Sequence, residues 1–237
     1  MERIVEASPR FKARAAGLCY LLNILTIMIA VLFFRGLIVP GDAVATATNV
    51  LAHEPLFRSG IAFEIISTAC SIAVAALLYA LLKPVNRSFS LIAAFFRLVA
   101  CAIAALSYLF QVGPLVVLGG AHYLSVFKLE QLQALALLFF KLHSQVMNVS
   151  IVFFGFHFLV TGLLILKSTF LPRILGILCA FAGLGGLTFL APPLANRLFF
   201  PYLVAVGLLA EVSLTLWLLV KGVNEHRWKE QASAAVE

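Results

Sequence analysis

Apolar residues in this chain come in blocks of about twenty, the length an α-helix needs to cross roughly 30 Å of hydrocarbon at 1.5 Å per residue. The blocks cover 15–34, 60–82, 89–111, 146–166, 171–190 and 198–220. A chain so built cannot fold around one water-soluble core, because all six blocks would need burial at once. Composition agrees: 63% of the 237 residues are hydrophobic and 11% charged, with a mean hydropathy of +1.07, against about 25% charge in soluble domains. The 21 phenylalanines exclude a solvated coil. The expected fold class is all-α, an integral membrane bundle of six transmembrane helices in a lipid bilayer.

Punctuation and charge predict the threading. The first block is too long for a signal-peptide core and no small-residue cleavage site follows it, so a retained span is expected. The longest polar stretch, 35–59, is expected to be a loop turning at Pro40, Gly41 and Asp42. Lys83 to Arg87 makes a tight basic turn, and Gly113-Pro114 is expected to end or kink the third helix. The segment 125–144 has an apolar core of only 134–140 between polar flanks, too short to span.

Cytoplasmic loops should hold the excess of Lys and Arg. With six spans and the N-terminus inside, the cytoplasmic side holds Arg3, Arg10, Lys12, Arg14, Lys83, Arg87, Lys167, Arg173, Lys221, Arg227 and Lys229, eleven in all. The outer side holds five: Arg35, Arg58, Lys128, Lys141 and Arg197. If 125–144 also crossed, the count would be eight against eight, leaving out Arg97 inside the third block. The segment is therefore expected as an interfacial or partly re-entrant helix on the outer face. The organisation is then a cytoplasmic segment 1–14, one transmembrane domain over 15–220 and a cytoplasmic tail 221–237. Three spans per half would invert one half against the other, as in many transporters, although any six-span chain allows it.

A net charge of +7 does not mark a nucleic-acid binder, because the basic residues flank apolar blocks singly or in small groups. Cys19, Cys70, Cys101 and Cys179 all lie in apolar stretches without a CxxC pair, and read as small buried hydrophobes. Gly183, Gly185 and Gly186 sit in a spanning block where close helix packing explains them. No phosphate-binding glycine loop and no GxSxG elbow is present, and no cofactor is expected.

Several short motifs, taken in order, resemble the bacterial domain-of-unknown-function family 4386, a family of small integral membrane proteins. They are Arg14-Ala15-Ala16-Gly17, Val39-Pro40-Gly41-Asp42 with Thr46, Thr48 and Asn49, Leu56-Phe57-Arg58, and Lys83-Pro84-Val85-Asn86. Phe96-Arg97-Leu98, Phe153-Phe154-Gly155-Phe156-His157, and Ser168 with Leu171-Pro172-Arg173-Ile174-Leu175-Gly176 complete the set. The resemblance implies a polytopic membrane protein and brings no catalytic residues with it.

Two polar groups stand out. Asn23, Arg97, His157 and Glu211 each lie eight or nine residues inside a different block, about 12–13 Å deep by helical rise. Arg97 shares a face with Ala93, Ala100 and Ala104, His157 with Ser150 and Thr161, and Glu211 with Gly207 and Thr215. Such small and polar faces pack on other helices, so the four residues are expected to form one interior layer, with Arg97 and Glu211 coupled. The layer reads either as a path or pocket for a small molecule or ion, or as a buried ion pair that only docks helices.

The second group lies toward the outer end: Asp42, His53, Glu54, Glu64, His122 and His143. These types can bind metal or move protons, but the spacing lacks HExxH or HxxxH, so solvated loop residues and no metal are expected. Transport or small-molecule binding ranks first, a non-catalytic protein binding a partner or lipid second, and an intramembrane enzyme using the outer group third. The sequence sets no oligomeric state.

Overall fold

The computed structural model describes residues 8–191, 193, 195, 197 and 202–234. Among them there are helices and turns and no strand. Helix α1 is Pro9–Phe34, α2 Ala43–Ala52, α3 Glu54–Leu82 and α4 Arg87–Leu118. A short 3-10 turn at His122–Leu124 leads into α5, Leu129–Lys167, and α6 is Arg173–Leu187, extended by a 3-10 turn at Thr188–Leu190. Helix α7 is Val204–Val220 and α8 is Glu225–Ala234. Arg3, Asn196 and the start of the expected sixth span at 198–201 lie outside the described residues.

Each start has a local cause. Ser8 Oγ accepts from Phe11 N at 3.2 Å with Pro9 opening α1, and Asn86 Oδ1 accepts from Phe89 N at 2.9 Å at the head of α4. Gln131 Oε1 accepts from Lys128 N at 2.9 Å, reaching back over the first turn of α5. After α7, Gly222 takes φ +68 while Lys221 N and Gly222 N both donate to Trp217 O at 2.9 Å. The chain then turns by 102° into α8.

Among the described residues five helical stretches are long and apolar enough to cross a bilayer: α1, α3, α4, α5 and Arg173–Leu190. The pair α7 and α8 makes a sixth if taken as one broken span. Leu18, Leu22, Leu25, Met28, Val31 and Leu32 of α1 all stand exposed, which suits hydrocarbon and not water. The chain is a multi-pass, all-α membrane protein.

Three expectations need correction. The stretch 35–59 is not an irregular loop, because Asp42 Oδ1 accepts from Ala45 N at 2.9 Å and starts α2, and α3 begins already at Glu54. Of the two outcomes expected at Gly113-Pro114, the ending is the one overturned, since α4 runs on to Leu118; a proline costs one backbone bond, and membrane helices tolerate that loss. Nor is 125–144 a separate outer helix, since from Leu129 it is the first part of the 39-residue α5. Polar residues at 130, 131, 133 and 141 limit the apolar stretch, but a helix satisfies its own backbone in water and lipid alike and has no reason to stop there.

The chain forms two compact units. Unit 1 comprises Met1–Leu22, Cys70–Cys101 and Ser150–Glu237, and unit 2 comprises Asn23–Ala69 and Ala102–Val149. Unit 1 has a core of Tyr20, Leu81, Ile165, Cys179, Leu214 and Leu218 among others. Its helices α5 and α6 touch backbone to backbone: a Cβ on Gly183 would lie 2.5 Å from Leu159 N, and one on Gly162 2.6 Å from Ala180 N. Unit 2 is organised by rings. Phe57 meets Phe34 at 5.4 Å and Phe140 at 5.8 Å, both edge to face.

Candidate functional site

Arg97 is the largest fully buried side chain of unit 1, at 1% exposure. Its place on α4 follows from its neighbours, because Ala93 and Ala100, one turn away on either side, leave the helix backbone open to approach. Helix α5 uses both openings. His157 Nδ1 meets Ala93 O at 2.9 Å, and Ser150 Oγ donates to Ala100 O at 2.8 Å.

The guanidinium gathers three other helical segments of unit 1. Nε donates to Ser71 O at 3.1 Å and to Ser71 Oγ at 3.0 Å on α3. Nη1 donates to Tyr20 OH of α1 at 2.7 Å and to His157 Nε2 of α5 at 3.1 Å. Arginine has no acceptor, so His157 Nε2 must accept, which puts the ring proton on Nδ1 facing Ala93 O and makes the ring neutral. Tyr20 and Phe154 present ring faces to the guanidinium carbon at 4.7 and 5.7 Å. Every one of these partners is uncharged, and Nη2 makes no hydrogen bond among the described residues.

The expected layer is thus divided. Arg97 and His157 meet, but Asn23 belongs to unit 2, where its Nδ2 donates to Ser67 O and Ser67 Oγ, both at 2.8 Å. Glu211 makes no hydrogen bond and no ion pair within 4 Å among the described residues, yet it interacts electrostatically with Arg97 and with Tyr20, the hydroxyl that Arg97 holds. Depth and helical face together bring Arg97, His157 and Glu211 into one neighbourhood of unit 1, whereas for Asn23 depth was the only link. Two hydroxyls nearby in sequence lack partners as well: Thr161, one turn after His157, and Thr215, one turn after Glu211, are buried without a hydrogen bond.

The outer group does not converge. Asp42 caps α2, His53 Nδ1 sits 3.0 Å from Asn49 O, and Glu54 pairs with Arg58 at 2.7 Å. His122 is exposed, and His143 Nδ1 lies 3.0 Å from Ser107 O. Among the described residues no three His, Cys, Asp or Glu side chains come close enough to hold a metal ion. Glu64 differs from the rest of this group. It is 7% exposed, beside Gln111 at 2%, and neither Glu64 Oε2 nor Gln111 Oε1 has a partner. Thr68 Oγ1 lies 2.9 Å from Tyr108 OH close by.

Sequence reasoning missed Tyr20, Tyr108 and Gln111. Tyr20 lies within an apolar run and Gln111 at the expected end of one, so each reads as tolerated polarity. The usable signal was helical phase: Tyr20 is one turn before Asn23, and Gln111 one turn after Ser107.

A family model described as a domain of unknown function, DUF4386, matches residues 15–222. An uncharacterized protein of Archaeoglobus fulgidus is 29% identical over 154 residues, covering 64% of this chain and 76% of that protein. No solved structure matches.

Proposed function

The chain belongs to the DUF4386 family, and we propose that it is a membrane-embedded binding or transport bundle whose unit 1 takes a small anion or anionic solute at Arg97. One observation carries this reading: a guanidinium at 1% exposure is held only by neutral acceptors and keeps Nη2 unused. An unneutralised charge within a membrane costs roughly 2.5 kcal/mol or more, so a group that stays charged there calls for a partner of opposite sign. A small anion would supply that sign and accept from Nη2. Glu211, without a hydrogen bond but already interacting with Arg97 through its charge, is the carboxylate that would compete with the anion when ionised and favour its release.

The test is thermal melting of the detergent-purified protein in chloride and, at matched ionic strength, in acetate, succinate or inorganic phosphate. At least one of these should raise the melting temperature of wild type and leave Arg97→Gln unmoved. No anion-specific shift, or the same shift in both proteins, overturns the reading. A second reading, a purely structural clasp, draws on the bonds from Arg97 to Tyr20, Ser71 and His157. It expects the variant to be destabilised with no anion response in either protein.

The same proposal places both termini in the cytoplasm of a bacterial-type cell membrane, with 15–220 as the membrane domain. Contacts inside unit 1 support even threading. Arg10, at the start of α1, meets the turn after α7 at Gly222; Trp228 Nε1 donates to Leu81 O at the end of α3; and Thr169, after α5, donates to Gln231 Oε1. The start of α1 and the ends of α3, α5 and α7 therefore gather on one side, and the eleven-to-five charge excess names that side as the inner one. Cysteine labelling at positions 10 and 169, in a chain lacking its own cysteines, should come from the cytoplasmic face only. Labelling from opposite faces sinks this threading.

A further inference from the structure

Between the start of α1 and the turn joining α7 to α8, unit 1 has a cleft of about 420 Å³. Arg10, Lys221 and Glu225, the first residue of α8, line it together with Phe170 and Trp217. Neither Arg10 nor Lys221 makes an ion pair or hydrogen bond through its side chain among the described residues. The turn that holds them is fixed. Lys221 N and Gly222 N share Trp217 O, and Asn224 Oδ1 accepts from Arg227 N at 3.2 Å to start α8. Gly222, at φ +68, lets the stem of Arg10 lie over that turn, where an added Cβ would come 3.2 Å from Arg10 Cγ.

We infer that this cleft binds the phosphodiester head group of an anionic phospholipid. Two cations without partners beside one carboxylate leave a single positive charge, which one phosphodiester neutralises. Trp217 decides between a lipid and free phosphate. Phe170 is buried in the core, but Trp217 is only partly covered; a soluble phosphate has no use for it, whereas a lipid continues from its phosphate into acyl chain, and an indole suits that boundary. The cleft also lies where head groups are found, at the ends of the apolar helices α1 and α7. The inference is independent of the Arg97 reading, since Arg10 and Lys221 are exposed residues at helix ends and no part of that network.

Full-length protein in detergent, mixed with equal phosphatidylglycerol and phosphatidylcholine, is examined by native mass spectrometry for the lipid it retains. Wild type should keep phosphatidylglycerol in preference, and R10Q/K221Q should lose that preference by about tenfold or more. Inorganic phosphate at the same concentration should not displace the lipid. An unchanged preference in the double variant overturns the site, and displacement by inorganic phosphate turns it into one for soluble phosphate. Both substitutions fall on exposed side chains, but if the variant fails to fold, the wild type alone decides. Brominated phosphatidylglycerol should quench tryptophan fluorescence more strongly than brominated phosphatidylcholine, and equal quenching overturns the proposal.

Discussion

Unit 1 and unit 2 draw on the same four helices, α1, α3, α4 and α5, yet each is held by a different kind of contact. In unit 1 the glycines of α5 and α6 make room for backbone: Gly155, Gly162, Gly176 and Gly183 all have main-chain atoms of the facing helix within 3.0 Å of where a Cβ would stand. In unit 2 they make room for rings. Gly60 faces Phe34 at 2.6 Å and Gly113 faces Phe139 at 2.5 Å by the same measure. Their polar groups differ in the same way. Unit 1 ties helices together through one guanidinium with four acceptors, while unit 2 buries two oxygens, on Glu64 and Gln111, that nothing satisfies. Lipid offers no hydrophobic drive for helices to associate, so each unit needs close packing or hydrogen bonds, and the chain uses one emphasis in each.

The contrast can be broken in unit 2 first. Phe57 is fully buried and touches rings on either side, so Phe57→Ala should cost about 3–5 kcal/mol. Unfolding of the protein in mixed micelles by a denaturing detergent measures it, and a loss below about 1 kcal/mol would remove the ring cluster as the organiser of unit 2. The glycines sharpen the point with one matched pair. Gly183→Ala, against immovable backbone, should cost about 1–3 kcal/mol, and Gly113→Ala, against a ring that can turn aside, clearly less in the same assay. Equal losses would erase the distinction.

Coupling comes next in size. A double-mutant cycle of Arg97→Gln with Tyr20→Phe should show an interaction of about 1 kcal/mol, and the cycle with Glu211→Gln a smaller one. The reverse order would make Glu211 the principal partner of Arg97, as matching depth, opposite charge and faces of small residues lead one to expect. The smallest effect belongs to Ser150→Ala, which removes a single bond to Ala100 O and should cost about 0.6 kcal/mol.

Membrane class and most helix positions were legible in the sequence because the bilayer imposes a length, and a run of about twenty apolar residues has few other uses. Ends were less legible. Asp42 reads as part of a turn until its carboxylate is seen to cap α2, and 125–144 reads as a separate piece because polarity marks the edge of the lipid and not the edge of a helix. Half of the polar layer was readable for a related reason. Arg97 and His157 share depth and direction and meet directly, Glu211 interacts with Arg97 only through its charge, and Asn23 shares depth alone. Tyr20 and Ser71 left no mark in composition, since a hydroxyl costs an apolar run little.

Helix α5 runs 39 residues without a proline, about 58 Å at 1.5 Å per residue. A hydrogen-bonded helix of that kind keeps its rise and its 3.6-residue turn along its length. It carries His143, bonded to Ser107 O, and fourteen residues further on His157, bonded to Arg97 and Ala93 O. A slip of one residue at either place swings a side chain by about 100° and advances it about 1.5 Å, enough to withdraw that imidazole from its partner. Each histidine thus reports the register of its own stretch of α5, one within each unit.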